Sequence, residues 1–454
     1  MSQTSNAPVV EPSRATEMDF AQAVRYLLSL GHETLTIKLG LKTTELLLEA
    51  LQHPELSFRS VQIAGTNGKG STAAFLDSIC RTTSIKTGLY TSPHLTSITE
   101  RIKVDGVEIS EEDFARHTTN VRELAEGLVS NGTLAALPTF FEQVTTIALV
   151  AFREAGVELA ILETGLGGRL DSTTAAKAGI CAITTIAFDH EDYLGHTIEE
   201  IAAEKAAIIH AGSKVVIGPQ LPAVVDVIRR RCNEVGVTPR TGVCPYTVQG
   251  ISPEGRFLVS FTSSRNFLVD VWLGLPGRHQ IDNASIAIKL SEVLVEEGFA
   301  IRPEDIANGL DSVVHPGRLE RIEQEPAILL DGAHNPAGAQ ALRDYLEEFG
   351  QEPLTIVFGA MRDKRLDNIA EVLFPMADKL VLTEVRNPRT ATIATLAALA
   401  KQFSKAPVET TTSSEEALQI AREQTPLPGM VCITGSLYLI GEIRERLVAG
   451  ENHG

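Results

Sequence analysis

The chain has 454 residues, 43% apolar and 22% charged, a globular composition with room for two or three domains of roughly 100–200 residues each. A disordered or low-complexity chain is excluded. Forty Lys plus Arg against 58 Asp plus Glu give a net charge of −18, which excludes nucleic acid or an anionic membrane as the main partner.

Residues 1–18 carry neither the basic nor the apolar segment of an export signal and read as a disordered tail ahead of a first helix. No apolar run reaches the roughly 18 residues of a membrane span. The five cysteines, Cys80, Cys181, Cys232, Cys244 and Cys432, are odd in number and nowhere form CxxC. Reduced thiols and a cytoplasmic location follow.

From residue 59 short β-branched runs alternate with amphipathic stretches. Strands are expected at Ser60–Ala64, Thr87–Thr91, Glu158–Glu163, Ile180–Phe188 and Lys214–Gly218. Helices are expected at Ser71–Thr83, Glu111–Val129, Thr139–Ala155 and Ile198–His210, two of them opened by the capping pairs Ser110/Asp113 and Thr197/Glu200. Ile102–Ile109 reads as a hairpin turning at Asp105 and Gly106. Such alternation builds a parallel sheet covered by helices on both faces. Past Pro245, Arg256–Phe261 and Phe267–Leu275 alternate with period two, as a small antiparallel appendix to that sheet. A helix over Asn283–Glu297, a short one after Pro303, and a Pro-Gly linker at residues 313–317 follow. Strands at Ala327–Asp331, Leu354–Phe358, Lys379–Glu384 and Met430–Thr434 then form a smaller Rossmann-like α/β domain. The domains are therefore expected at 19–315 and 316–454.

Residues 61–71, VQIAGTNGKGS, run from a buried strand through a Gly-rich loop into a helix. That is the setting of a phosphate cradle: Gly65, Thr66, Asn67, Gly68, Lys69, Gly70 and Ser71 would present backbone N–H groups and a lysine to ATP, with the Ser71 hydroxyl on Mg2+. The strict P-loop pattern is not met, so a plain Gly-rich turn is the competing reading. Ser92 and His94 follow the second strand, where a ligand crevice forms in parallel sheets, and Arg101 has the fork to clamp a carboxylate; alone, this segment also reads as a turn. Glu163 and His190 end two further strands, either as ligands of a divalent ion or as a satisfied polar pair. Lys205, on a helix, reads by itself as a solvated charge. Asp331, His334 and Ser436 recur after strands of the second domain, with Arg318 beside the linker.

Eight ordered motifs, AGTNGKGS, YTSPHL with ERI, ETGLGGRLDST, DHEDYLGHTIEEIAAEKA, GRHQIDNA, HPGRLER, DGAHNPAG and ITGSLYL, resemble those of the folylpolyglutamate and dihydrofolate synthases within the Mur-ligase family. The resemblance runs from about residue 20 to 445. It implies a P-loop-type ATPase domain, a C-terminal glutamate-ligase domain, and an acyl phosphate formed from ATP and displaced by L-glutamate. Dihydropteroate and reduced folate are the implied acceptors, Arg169 favouring the first.

Position by position, the resemblance implies triphosphate binding by residues 65–71 and a nucleotide site completed by Asn283, Arg318 and Asp331. Ser92, Glu163 and His190 would hold one Mg2+, and a carbamylated Lys205 would help to hold a second. His334 and Ser436 would lie near glutamate or the transferred phosphate, and Thr139, Phe141, Arg169 and Asp171 at the pterin. Lys69, Lys205, His334 and Arg101 are the implied catalytic set, K+ a further cofactor, and a monomer the working form. Thr174 stands where relatives usually carry Asn. A Mur-type ligase acting on a cell-wall precursor is the nearest competitor, although the roughly 60 residues before the loop are short for its sugar-nucleotide domain. A non-catalytic ATP-binding regulator is the alternative from another class.

Overall fold

The computed structural model describes residues 17–31, 40–265, 267–322 and 324–451. Most of the expected tail lies outside these, but Met18, assigned to it, is buried and its amide donates to Thr119 Oγ1 at 3.1 Å. Folded structure thus starts at least one residue before the expected boundary.

The first sheet holds eight strands: β1 Arg59–Ala64, β2 Thr87–Tyr90, β3 Ile102–Val104, β4 Val107–Glu108, β5 Leu159–Glu163, β6 Ile180–Ile183, β7 Lys214–Ile217 and β8 Pro239–Thr241. Their order is β4-β3-β2-β5-β1-β6-β7-β8, with the six from β2 to β8 parallel and the β3–β4 hairpin antiparallel. The central strands β1, β5 and β6 are buried on both faces, as in a doubly covered sheet. Leu159 and Ile161 pack with the helix Lys69–Arg81 and the helix His279–Glu296, while Ala160 and Leu162 pack on the opposite side with the helices Glu111–Ser130 and Phe140–Ala155. The chain steps from β1 to β2, returns through β5, and crosses to β6, so the order reverses at β1. Ligands bind outside the carboxyl ends of strands at such a switch point.

Three expectations change. The strand predicted over Ile180–Phe188 ends at Ile183, because the chain then leaves the sheet to bind the loop after β1: the Thr185 carbonyl accepts from the Thr66 and Asn67 amides at 2.9 and 3.1 Å. The antiparallel segment is its own three-stranded sheet, β9 Tyr246–Ile251, β10 Phe257–Thr262 and β11 Phe267–Trp272 in the order β11-β10-β9, and not an appendix of the first. Phe257, Val259 and Phe261 insert into the core around helix Lys69–Arg81, while mostly exposed β9 carries little periodic signal. Thr197 and Glu200 form the full capping box, whereas Ser110 accepts from the Asp113 amide without the reciprocal bond.

The second sheet is β12 Glu320–Ile322, β13 Ala327–Leu330, β14 Leu354–Phe358, β15 Lys379–Thr383, β16 Val408–Thr411 and β17 Met430–Thr434. Its order is β12-β13-β17-β14-β15-β16, parallel except for β12. The short edge strands β12 and β16 were not expected. All five cysteines are buried and unbridged. Among the described residues no helix is long and apolar enough to cross a membrane.

The helix of the phosphate loop is wedged closely against its neighbour: a Cβ on Gly309, in the helix Pro303–Ser312, would overlap the Ile79 backbone. Gly309→Ala should therefore destabilise the protein by about 1–3 kcal/mol through overpacking. Urea denaturation should show a lower midpoint at unchanged slope.

Candidate active site

The loop after β1 is shaped by two glycines. Gly65 (φ +155°) and Gly68 (φ +85°) take conformations that L side chains avoid, and a Cβ would overlap Thr184 Oγ1 at the first and Asn283 Oδ1 at the second. Anchored by Thr185 and by Thr66 Oγ1 on the Ala187 carbonyl at 3.0 Å, the loop delivers the first turn of helix Lys69–Arg81 to the cleft. Amides of a first turn have no intrahelical acceptor, and the positive end of the helix dipole adds to them. Lys69 Nζ rests on the Thr66 carbonyl at 3.2 Å, and Gln280 links Ser71 Oγ (3.4 Å) to Asn283 (2.8 Å). These groups line a cavity of about 270 Å3 together with Ser92, Glu163, His190, Lys205, Arg318, Asp331 and His334.

Glu163 closes β5 and is buried. Burial raises its carboxyl above the ordinary value, opposed by Lys69, the Ser92 amide and Arg318. Its Oε2 accepts from Ser92 N at 3.1 Å. Ser92 Oγ, beside it, is buried without a hydrogen-bond partner; such an orphaned oxygen calls for an ion or ligand. His190 has a left-handed backbone (φ +53°), and burial, then the Lys364 charge, push its imidazole down to about 3. It is neutral and keeps a lone pair for donation. Lys205 Nζ donates to the Gly65 carbonyl at 2.8 Å, and burial, then Lys69, pull its amine down to about 7. Among the described residues no three His, Cys, Asp or Glu gather as a metal cluster. The donors present suit a magnesium ion only if phosphate oxygens and water complete the shell, which is how Mg2+ is usually held.

The second sheet supplies the facing wall. Asp331, after β13, accepts from the Leu319 and Ala333 amides at 2.9 and 3.0 Å, and burial raises its carboxyl against the pull of Arg318. His334 Nδ1 lies 2.7 Å from the Gly332 carbonyl. Asn335 and Asn67 bond reciprocally across the cleft at 2.9 and 3.2 Å. The Ser92–Ser97 loop also crosses the divide: Glu100 accepts from the Leu95, Thr96 and Ser97 amides, Leu95 packs into the core formed by Ile440 and Ile443, and a Cβ on Gly441 would overlap the Leu95 carbonyl. Beyond this loop a cavity of about 290 Å3 shares Gly70, Ser92, Glu163 and Arg318 with the first.

Several expected residues lie elsewhere. Arg101 is fully buried, donates to His94 Nδ1 at 2.8 Å, and has its guanidinium 5.4 and 5.8 Å from the rings of Phe140 and Phe141. It braces the loop and has no face for clamping a carboxylate; His94 is occupied with it. Thr139 is the N-cap of helix Phe140–Ala155. Asp171 accepts from the Leu166 and Thr173 amides and holds its own loop. Arg169 is exposed and paired with Glu204 at 2.9 Å. Phe141 does reach the rim, against Gly165. Ser436 is buried and accepts from the Tyr438 amide at 3.1 Å, whereas its neighbour Leu437 lines both cavities. Thr174 fills its place by donating to the Gly168 carbonyl at 2.7 Å and accepting from Gln62 at 2.8 Å.

Four cleft residues were missed. Asp189 accepts from Lys364 Nζ at 2.6 Å; burial alone would raise its carboxyl, but His190, Lys364 and His334 hold it well below the carboxylate range. Gln280 links Ser71 and Asn283, and the linker's His315 lies against Gly70. Asp189, Gln280 and His315 stand within the motifs DHEDYLGHTIEEIAAEKA, GRHQIDNA and HPGRLER, whereas Lys364 falls in none of the eight.

The family profile described as Mur ligase middle domain matches residues 63–291, and that described as Mur ligase, glutamate ligase domain matches 317–437. A Bacillus subtilis protein named dihydrofolate synthase/folylpolyglutamate synthase is 34% identical over 420 residues, 90% of this chain and 95% of its own. The Mycobacterium tuberculosis folylpolyglutamate synthase, solved with ADP and AMPPCP, superimposes with a TM-score of 0.84 at 31% identity, over 93% of this chain and 98% of its own. Escherichia coli FolC, solved with DHPP and ADP, gives 0.84 at 28% identity, over 96% and 99%.

Lys205 offers a pH test. Its folded amine titrates near 7, below the ordinary value near 10.5, so between those values the unfolded chain binds the extra proton and stability rises with pH. In buffer freed of CO2, the stability of the wild type should gain on that of Lys205→Met from pH 7 to 9, by up to about 1.4 kcal/mol per pH unit. Urea titrations at each pH measure the difference.

Proposed function

The chain belongs to the dihydrofolate synthase/folylpolyglutamate synthase family of Mur ligases, and from that membership we propose how its cleft carries out the reaction. It is an ATP-dependent ligase that joins glutamate to folates. The observation that carries the residue assignment is the one cleft in which a glycine-shaped anion loop, a buried carboxylate with an orphaned serine hydroxyl, and Arg318 with Asp331 face each other.

The triphosphate lies on residues 65–71, with Lys69 at its terminal phosphates and Asn283, Arg318 and Asp331 around the nucleotide. Ser92, Glu163 and His190 would hold Mg2+, which supplies neutralisation of phosphate charge when bound. The acceptor carboxylate attacks the γ-phosphorus, the bond to ADP breaks, and an acyl phosphate results. The glutamate amine then attacks the acyl carbon, loses a proton, and inorganic phosphate leaves as the amide forms. No enzyme nucleophile takes part; Lys69 and the loop amides stabilise charge already in place. The adjoining cavity beside Ser92 and Arg318 gives the second carboxylate-bearing substrate room.

Lys205, neutral above about pH 7, can add CO2 to become a carbamate, whose oxygens suit a second Mg2+. Dihydropteroate is proposed as a second acceptor, supported by the double name of the Bacillus subtilis relative. The boundary between the ATP-binding and glutamate-ligase domains is placed at 316, supported by the two profile matches. Five buried thiols support a reducing, cytoplasmic setting. A monomer is proposed as the working form.

Purified protein with ATP, Mg2+ and L-glutamate should release phosphate only when dihydropteroate or a reduced folate is added. Lys69→Ala and Glu163→Ala should each lower that rate by about 10²-fold or more, with circular dichroism unchanged. Wild-type turnover in either variant removes that residue from the mechanism.

A further inference from the structure

The segment between β14 and the helix Leu366–Leu373 docks on the segment after β6, across the divide between the two sheets. Lys364 Nζ lies 2.6 Å from Asp189 Oδ1 and 3.3 Å from His190 Nε2, with the lysine and aspartate side chains only 7% and 6% exposed. Next to it, Arg365 grips both oxygens of Glu191 at 2.5 and 2.7 Å and lies 4.3 Å over the Phe188 ring, in a more open position. The docking segment is itself held: the Arg362 amide donates to the Arg389 carbonyl at 2.8 Å, and Arg389 bonds Asp363 at 3.0 Å. Lys364 is thus delivered from the second sheet on a braced loop, a buried cation set against a carboxylate and an imidazole of the first.

An uncharged imidazole has one lone pair, on the nitrogen that carries no proton. At His190 the Lys364 ammonium, which can only donate, faces Nε2 at 3.3 Å. A divalent ion held by that nitrogen needs the same electrons, and two cations cannot both occupy the corner beside Asp189. We propose that Lys364 is a positioning residue that caps His190 Nε2, so that a divalent ion entering at His190 must displace it and release the Lys364–Asp189 clasp between the domains. The proposal rests on the reading of His190 as a metal ligand. Coupling of this kind is reciprocal: metal at His190 weakens the clasp, and loss of the clasp strengthens metal binding.

Mn2+ in the presence of a saturating non-hydrolysable ATP analogue, which supplies the phosphate oxygens the site needs, is the probe. Titration followed by electron paramagnetic resonance should show Lys364→Met binding Mn2+ at least about tenfold more tightly than wild type. Arg365→Ala, which loosens the same docking segment without touching His190, should not share the gain. In the wild type, where the charge on Asp189 is untouched, Mn2+ should speed hydrogen exchange of the amides at 361–366. No gain in Lys364→Met, an equal gain in Arg365→Ala, or slower exchange on adding Mn2+ overturns the proposal. Glutamate-dependent phosphate release by the wild type reads the ligase assignment separately, so the two can fail independently.

Discussion

Cations gathered in one cleft between the two sheets constrain the rest of this molecule. Lys69, Lys205, Arg318 and Lys364 converge at the ends of β1, β5 and β6 and at the facing loops, although the chain as a whole carries a charge of −18. Where burial strips such a charge of water, it must find a carboxylate, give up its proton, or wait for an anion. Lys364 has Asp189, and Lys205 is drawn towards neutrality. The glycine-rich loop, which brings the positive end of a helix dipole to the cleft, adds more positive potential at the same place. The substrates of the family are polyanions, and they complete an electrostatic balance that the protein alone leaves open. The global charge therefore describes solubility and the outer surface, whereas the cleft obeys local geometry.

Topology explains why these groups meet. The reversal of strand order at β1 opens a crevice between the loops after β1, β5 and β6, so Lys69, Glu163 and Asp189 arrive from three distant stretches of chain. The early end of β6 is part of the same design: the backbone released from the sheet at Thr184 accepts and donates the hydrogen bonds that hold residues 65–67. The second sheet repeats the principle on a smaller scale, bringing Asp331 and His334 to its own strand ends.

The elements with nearly continuous apolar runs, β5, β14 and β17, were legible because burial on both faces leaves an unambiguous pattern. So was the phosphate loop, whose glycines mark positions where a side chain has no space. The exposed or very short strands β9, β12 and β16 carry no such pattern. Arg101 shows the limit at the site: a charged residue in a motif suggests a ligand, and only tertiary packing reveals it sealed between His94 and two phenylalanine rings. Lys364 shows the reverse. Among Arg362, Asp363 and Arg365 it has the composition of a solvated turn, and its burial arises from docking on the preceding domain, at a carboxylate 175 residues earlier in the sequence.

The Ser92–Ser97 loop belongs covalently to the first sheet, yet Leu95 is packed as part of the second domain's interior, over a glycine that leaves room for its backbone. Ser92 is therefore attached to both halves of the molecule. Parting the halves either strips Leu95 from its apolar seat or carries Ser92 away from Glu163. The seat of Leu95 and the hydrogen bond from Ser92 to Glu163 are therefore mechanically linked.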